Sequence, residues 1–428
     1  MRVFFLALLV SLALVGCRTS EPPAEPDRVT VSIAEGHEGF VRLVAYQDGA
    51  DAWRELDAVD GGYSFEVTDE AGRYGVALVC YYHGGTGVDA WRYLEPVVFH
   101  ATTDEFNDVT IPCIEAAWET PEATTDLTVT IENPVPGAEH GIRVAGLTYW
   151  VREAPYERAL GPLWEGLHDV VVYLEDASGA PERLVVHHDA DTSAPGGVSV
   201  DFDQSLSTEV FDVTVEGVTA GASVTVISDL VTKNGTWKQL SNSGDLVDTT
   251  SYETTYRAAP AALLEAGHEN RLWVTAVDGS GSRRTVERSF LTGRDTEIQL
   301  PEGDLELTEV PVTQSGYPLY GLAWRDLDSA FTSVYFSFDT DDLGIAWEGT
   351  ITPGWSAGSA YTIPDLSGLE GWDAAWNASE ADVVNAYFGA TAVFTASELS
   401  EEVLFLWDLP REAELRFLSQ YLDPLDRR

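Results

Sequence analysis

Lysine is almost missing from this chain: Lys233 and Lys238 are the only two, and Lys plus Arg total 24 against 71 Asp plus Glu. A formal net charge of −47 argues against nucleic acid as a partner, because phosphate binding needs clustered cations. Cysteine is nearly as scarce, at three residues, and no CxxC or Cys/His spacing offers a zinc centre. Long hydrophobic runs are confined to VFFLALLVSLALV (3–15), which is shorter than the roughly 20 residues that span a bilayer. The HExxH pattern is missing too, and His37, His83, His100, His140 and His168 are scattered without metal-ligand spacing. Paired carboxylates diagnose nothing in a chain this acidic, because such pairs arise everywhere by chance.

The one apolar run follows Arg2 and ends in Leu14-Val15-Gly16-Cys17. A charged start, an apolar middle and a small residue before cysteine read as a secretory signal with a lipobox. The Cys17 thiol would accept a diacylglycerol before cleavage in front of it. Residues 1–16 would then leave, and the mature chain would hang from a membrane; an uncleaved helix is the alternative. Each buried methylene contributes about 0.8 kcal/mol, so two or three acyl chains hold firmly. RTSEPPAEPD (18–27) then reads as a short stiff tether. Cys80 and Cys113 each close a β-like run, GVALVC and DVTIPC. In an exported chain they can form one disulfide, or remain two buried thiols.

Hydrophobic residues make up 44% of the chain and aromatics 11%, which suits a folded protein with an acidic surface rather than a disordered chain. The acidity reads either as a solvated face suited to salt or as ligands for divalent cations. The densest candidates are Asp339-Thr-Asp341-Asp342-Leu-Gly344 and His187-His188-Asp189-Ala-Asp191. Neither has the alternating ligands and terminal Glu of a calcium loop, so the sequence names no metal and no cofactor.

Periodicity predicts an all-β chain. Alternating runs recur at FVRLVAY (40–46), YSFEV (63–67), LTVTI (127–131), DVVVYLE (169–175), SVTVIS (223–228) and SVYFSF (333–338), separated by Asp, Gly, Asn and Pro. Four segments open alike, with VTVSI (29–33), LTVTI (127–131), FDVTV (211–215) and LELTEVPV (305–312). The first three also close alike, each with a strand, a polar turn and a last alternating strand, at 97–112, 183–202 and 284–301. This period predicts tandem immunoglobulin-like or prealbumin-like β-sandwiches over 28–113, 114–204, 205–303 and 304–395. Helix is expected in PAALLEAG (260–267) and in a short helical C-terminus over 396–428. There Ser397 offers an N-cap, Pro410 a break, and Leu415, Leu418 and Leu422 an apolar stripe, for packing on the last sandwich or for a partner.

Gly49-Ala-Asp-Ala-Trp53-Arg54-Glu-Leu56 is echoed by Gly87-Val-Asp-Ala-Trp91-Arg92-Tyr-Leu94, and its ending by Gly235-Thr-Trp237-Lys238-Gln-Leu240. These tryptophans, with Trp347, Trp355, Trp372 and Trp376 of the fourth segment, either pack cores or form aromatic platforms for a sugar ring or partner. Gly354-Trp355-Ser356-Ala357-Gly358 satisfies the nucleophile-elbow pattern G-x-S-x-G. However, Pro353 precedes it, SAYTIPDLS does not read as helix, and His268 is the last histidine, so no general base follows Ser356.

QDGADAWRELDAVDGGYSFEVTDEAGRYGVALVCYY (47–82) resembles the prealbumin-like modules called carboxypeptidase-regulatory-like domains, through Gly62-Tyr63-Ser-Phe65 and Gly72-Arg-Tyr74-Gly-Val76. Leu322-Ala-Trp324, Val334-Tyr335-Phe-Ser-Phe338, IAWEGTI (345–351) and YTIPDLSGLEGWDAAWN (361–377) resemble fibronectin type III. That last segment is similar to the ends of uncharacterised envelope lipoproteins. The resemblance implies binding, spacing or scaffolding at the cell envelope, with no catalytic residues to carry over, and fold alone does not decide function. The expectation is a non-enzymatic, lipid-anchored envelope protein whose tandem β-sandwich modules serve adhesion, ligand capture or scaffolding. A glycan-binding surface protein is the alternative, and a serine hydrolase at Ser356 the remote one. The expected partners are a membrane through Cys17 and a glycan or envelope protein.

Overall fold

The structure, a computed structural model, describes residues 27–34, 38–59, 62–84, 91–111, 113, 124–193, 196–264, 267–310, 319–325, 327, 331–340, 345–355, 360–373, 376, 387–395 and 414–422. Among these it is almost all strand. A first group holds β1 (Asp27–Ile33), β2 (Val41–Asp48), β3 (Arg54–Glu55), β4 (Tyr63–Val67), β5 (Arg73–Gly84), β6 (Trp91–Thr102) and β7 (Asp108–Ile111). A second holds β8 (Thr124–Glu132), β9 (His140–Val144), β10 (Leu147–Val151), β11 (Glu157–Trp164), β12 (Leu167–Glu175), β13 (Pro181–Asp191), β14 (Gly196–Asp201) and β15 (Leu206–Ser207). A third holds β16 (Glu209–Glu216), β17 (Ala222–Val231), β18 (Trp237–Val247), β19 (Ser251–Ala258), β20 (Glu269–Val277), β21 (Arg283–Phe290) and β22 (Thr296–Gln299). The fourth holds β23 (Asp304–Val310), β24 (Leu319–Arg325), β25 (Phe331–Thr340), β26 (Ile345–Ile351), β27 (Ala360–Thr362), β28 (Tyr387–Thr395) and β29 (Glu414–Leu422).

Each group contributes one three-stranded sheet: β4-β1-β7, β11-β8-β14, β19-β16-β22 and β23-β24-β27. In the first three, the opening strand pairs parallel with the closing strand, β1 with β7, β8 with β14 and β16 with β22. The repeated opening and closing segments of the sequence are these strand pairs. Opposite the second group's small sheet stands β10-β9-β12-β13-β15. The other three groups share one 12-stranded sheet, in the order β18-β17-β20-β21-β29-β28-β25-β26-β6-β5-β2-β3.

Two joints make that sheet continuous. β21 and β29 pair antiparallel from Arg283↔Ser419 to Arg288↔Glu414. β26 and β6 pair parallel, with Ile345↔Leu94 and then Glu348↔Val97 through Ile351↔His100. The first, third and fourth groups are thus joined by main-chain hydrogen bonds, not by linkers alone.

Cores form where the sheets face each other. Val29, Phe65 and Val109 meet Val76, Leu78 and Phe99; Leu127 and Leu160 meet Ile142 and Val172; Val213 and Ile298 meet Val224 and Val274. In the fourth core Leu322, Trp324 and Tyr361 meet Val334, Phe336 and Trp347, together with Leu43, Ala77, Val79 and Val98 from the first group. Strand β5 is therefore buried on both faces: Val76, Leu78 and Cys80 enter one core, Ala77 and Val79 the other. That is why GVALVC is continuously apolar where a half-exposed strand would alternate. Cys80 and Cys113 are joined by a disulfide across 33 residues, tying β5 to the chain beyond β7.

Both helical expectations fail. Residues 414–422 form β29, hydrogen-bonded to β21 on one side and β28 on the other. The spacing of Leu415, Leu418 and Leu422 suits a helix, but this segment fills a gap inside a sheet, and tertiary pairing overrides local preference. Among the described residues of PAALLEAG there is one 3₁₀ turn, Ala261–Leu263, closed by i→i+3 bonds from the Leu263 N–H to the Pro260 carbonyl and from the Leu264 N–H to the Ala261 carbonyl. Too few residues separate β19 from β20 for a stable helix. Ser397 and Pro410 lie outside the described residues, as does Cys17. Among the described residues no helix is long and apolar enough to cross a membrane.

Candidate ligand-binding site

Parallel pairing of β26 with β6 brings the turn after β26 against the end of β6. The Thr352 N–H donates to the His100 carbonyl at 2.9 Å. The Glu105 carboxylate then fixes the turn, accepting from the Gly354 N–H at 2.8 Å through Oε1 and from the Thr352 hydroxyl through Oε2. Gly354 permits this approach, because a Cβ there would lie 2.6 Å from Glu105 Oε2. Trp355, the next residue, is thereby aimed at His100, with ring centroids 4.2 Å apart.

Trp53 reaches the same imidazole from the first group, 5.7 Å away and edge-on, and Tyr361 of β27 from the fourth, at 5.2 Å. The Tyr361 hydroxyl and His100 Nε2 are hydrogen-bonded at 2.9 Å. Gly75 makes room, since a Cβ there would come within 2.7 Å of the His100 ring and 3.0 Å of Trp53. Burial drives the His100 imidazole down to about 3, against an opposing pull from the Tyr74 backbone, and holds the Tyr361 phenol well above its ordinary value. The floor is therefore uncharged at neutral pH.

Above it opens a cavity of about 440 Å³, edged by Gln47, Arg73, Thr362 and Asp365. That volume lies within the roughly 300–1,000 Å³ of small-molecule sites. Arg73 bonds Asp69 twice at 3.0 Å, through Nε and Nη2, which pulls the Asp69 carboxyl below its ordinary value. The site is thus aromatic walls with a polar rim whose one guanidinium is matched by Asp69.

Among the described side chains, Trp53 and Trp355 are the tryptophans that line the cavity. Trp347 is core, against Trp372 at 6.1 Å. Trp237 is exposed, with the Arg143 guanidinium 4.2 Å from its ring centre, while Leu240 is buried beside the second group. Trp91 opens β6, and its side chain lies outside the described residues. Ser356 lies outside them too, and the next described element after Gly354 and Trp355 is strand β27. Asp341, Asp342 and Gly344 are likewise outside. Tyr361 and His100 carried no sequence signal beyond a strand-like run and an isolated histidine.

A second cluster lies between the second and third groups. The buried Asp169 carboxylate accepts from the Asp189 N–H at 3.1 Å and from the Asn234 N–H and side-chain amide at 3.2 and 3.1 Å. Burial pushes this carboxyl up, but the Asp189, Thr232 and Asn234 donors more than offset it, and the net direction is down. His188 Nδ1 stands 3.7 Å from Asp169 Oδ1, and the His188 and His268 rings are 4.6 Å apart. One ligand atom from each of Asp169, His188 and His268 falls within 4.8 Å of the others, a spacing that could admit a metal ion. The hydrogen bonds oppose it. The Lys233 N–H donates to His268 Nδ1 at 3.1 Å, so the neutral ring carries its proton on Nε2. A metal at either nitrogen would have to displace that bond or that proton. Of the run His187-His188-Asp189-Ala-Asp191, His188 supplies a possible ligand, while the Asp189 N–H bonds Asp169 and its carboxylate pairs with Lys233 at 2.8 Å.

No protein-family model matches the chain, and no curated protein matches it. Among solved structures it is similar to a DUF3823 family protein from Parabacteroides merdae ATCC 43184, at 8% identity and a TM-score of 0.19, over 50% of this chain and 98% of that one. It is also similar to the Bacillus anthracis TIE protein, at 7% identity and a TM-score of 0.14, over 82% of this chain and 62% of that one. Overlaps this small carry no argument about function, which rests on the chain's own residues.

Proposed function

We propose that the protein is a non-enzymatic, lipid-anchored component of the cell envelope that captures a small ligand between its first and fourth units. The units are read as prealbumin-like and immunoglobulin-like sandwiches, with carboxypeptidase-regulatory-like and fibronectin type III likenesses in the first and fourth. The observation that carries the reading is the meeting of Trp53 and Trp355, remote in sequence, at one cavity whose floor is already hydrogen-bonded. Export is supported by the leader ending at Cys17 and by the Cys80–Cys113 disulfide, which suits an oxidising compartment. Hydrolysis at Ser356 is the weaker reading. The histidine beside Trp355 is His100, and an imidazole held at about 3 is a poor general base at neutral pH.

Two measurements test this. Membrane fractions should retain the wild type and lose Cys17→Ala; retention of the variant would contradict the anchor. Thermal shift against a panel of envelope-derived small molecules should find at least one that raises the Tm of the wild type but not of Trp355→Ala. A panel that stabilises neither protein, or both equally, would overturn capture at this cavity.

A further inference from the structure

We infer that the cavity between the first and fourth units takes a ring of a neutral saccharide, an inference that rests on the capture reading above. A pyranose presents an apolar face of C–H groups and a polar edge of hydroxyls. The cavity is built the same way: Trp53, Trp355 and Tyr361 supply ring faces, and Gln47, Arg73, Thr362 and Asp365 stand around them. The rim offers donors and acceptors together, as a hydroxyl requires. Gln47 donates from Nε2 to the Asp51 carbonyl at 2.7 Å, which fixes its carboxamide and keeps the Oε1 acceptor in place.

Charge narrows the class. Arg73 is the cation of the lining, and its guanidinium is already matched by Asp69 through two hydrogen bonds. Asp365 supplies a second carboxylate, engaged with the Ser367 N–H at 2.9 Å and with its hydroxyl at 2.5 Å. A uronate, sulfate or phosphate would enter without a cation to meet it, in a chain of net charge −47. A neutral sugar meets no such cost. The floor residues His100 and Tyr361 keep one protonation state across neutral pH, so the floor adds no titration to recognition.

The geometry is also pre-formed. Glu105 holds the turn before Trp355, and Gly75 lets Trp53 and His100 lie against β5, so little ordering remains to be done on binding.

The experiment is affinity electrophoresis of the full chain through gels containing dextran, mannan, galactan or alginate, with tryptophan fluorescence titration of the matching oligosaccharides. Retardation is expected in at least one neutral gel and not in alginate, equal at pH 5 and pH 8. Trp53→Ala and Trp355→Ala should each weaken it at least tenfold, while Trp355→Phe keeps much of it. Trp237→Ala, an exposed indole elsewhere, should leave it unchanged and reports on folding. The inference is overturned by no retardation in any neutral gel, by stronger retardation in alginate, or by retardation that survives Trp355→Ala. A peptide or other non-sugar that stabilises the wild type but not Trp355→Ala would overturn the saccharide while leaving ligand capture standing.

Discussion

The seam between the first and fourth units and the seam between the second and third solve the same problem by opposite means. At the first, β26 adds to β6 by main-chain pairing, and the fourth core takes in Leu43, Ala77, Val79 and Val98 from its neighbour. At the second, the β17–β18 hairpin tip presses against β12 and β13 through side chains. Asn234 meets Asp169, Lys233 meets Asp189, Lys238 meets Glu175 at 3.2 Å, and Arg257 meets Asp176. A small apolar cluster of Val171, Tyr173, Leu184, Leu230, Leu240 and Ala259 lies beneath. Backbone pairing sets geometry whatever the side chains are, and so leaves Trp53, Trp355 and Tyr361 free to line a cavity. The side-chain seam spends its polar groups on one another. The two lysines of the chain are both used there, which explains why a protein so poor in lysine keeps them in one hairpin.

The sharpest way to break the second seam is to remove one acceptor. Asp169→Ala would remove the acceptor of the Asp189 N–H and of the Asn234 N–H in a part-buried site, while the Asn234 amide keeps Asp189 Oδ1 at 3.1 Å. Orphaned buried donors cost roughly 1–3 kcal/mol each and water relieves these two in part, so a loss of about 2–3 kcal/mol is expected. Urea denaturation measures it directly. A loss below about 1 kcal/mol would mean that the apolar cluster alone holds the seam.

What could be read from the residues divides along the same line. YSFEV became β4 residue for residue, and SVTVIS lies within β17, because alternation is local and each strand has one buried face. Trp53 and Trp355 were legible as aromatic candidates, but their meeting was not, since it depends on a parallel pairing between strands far apart in sequence. His100 looked isolated for the same reason: its partners Tyr361 and Trp355 arrive from the fourth unit. Asp169 was hidden inside a strand-like run, and nothing in DVVVYLE marks its first residue as the centre of a hydrogen-bonded seam. The helical C-terminus expected over 396–428 failed at 414–422, where β29 found two partners that the segment itself does not name.

Acid should separate the seams by their windows. The His100 imidazole titrates at 6.5 when exposed and at about 3 in the fold, so below pH 6.5 the unfolded chain binds a proton that the folded chain does not. Its contribution is complete above pH 6.5 and falls progressively toward pH 3, amounting to roughly 3 kcal/mol by pH 4. Asp169, held below the ordinary carboxyl value of 3.8, follows the same proton linkage, but its stability is lost only as pH falls below about 4. Denaturation midpoints of the wild type and His100→Gln at pH 7, 5.5 and 4.2 distinguish them. The variant should lose much of the slope across this range; parallel profiles would remove His100 as its source.

The first seam should be most sensitive to an added atom, the reverse of the second. Gly349 lies on β26 opposite Val98 of β6, and a Cβ there would stand 2.2 Å from the ring of buried Phe336. Phe336 belongs to the shared core and has packed neighbours on its other sides, including Tyr361 at 5.5 Å between ring centres. A ring displaced toward Tyr361 would press through it on His100 and the cavity floor. Overpacking of this kind costs about 1–3 kcal/mol, so Gly349→Ala should lower stability by that much. Because the displacement runs toward the floor, it should also alter the tryptophan emission of Trp355. Restoring the space with Phe336→Leu in the same chain should recover part of both. If Gly349→Ala shifts neither stability nor emission, the fused seam is looser than its pairing implies, and the contrast with the hydrogen-bonded seam fails.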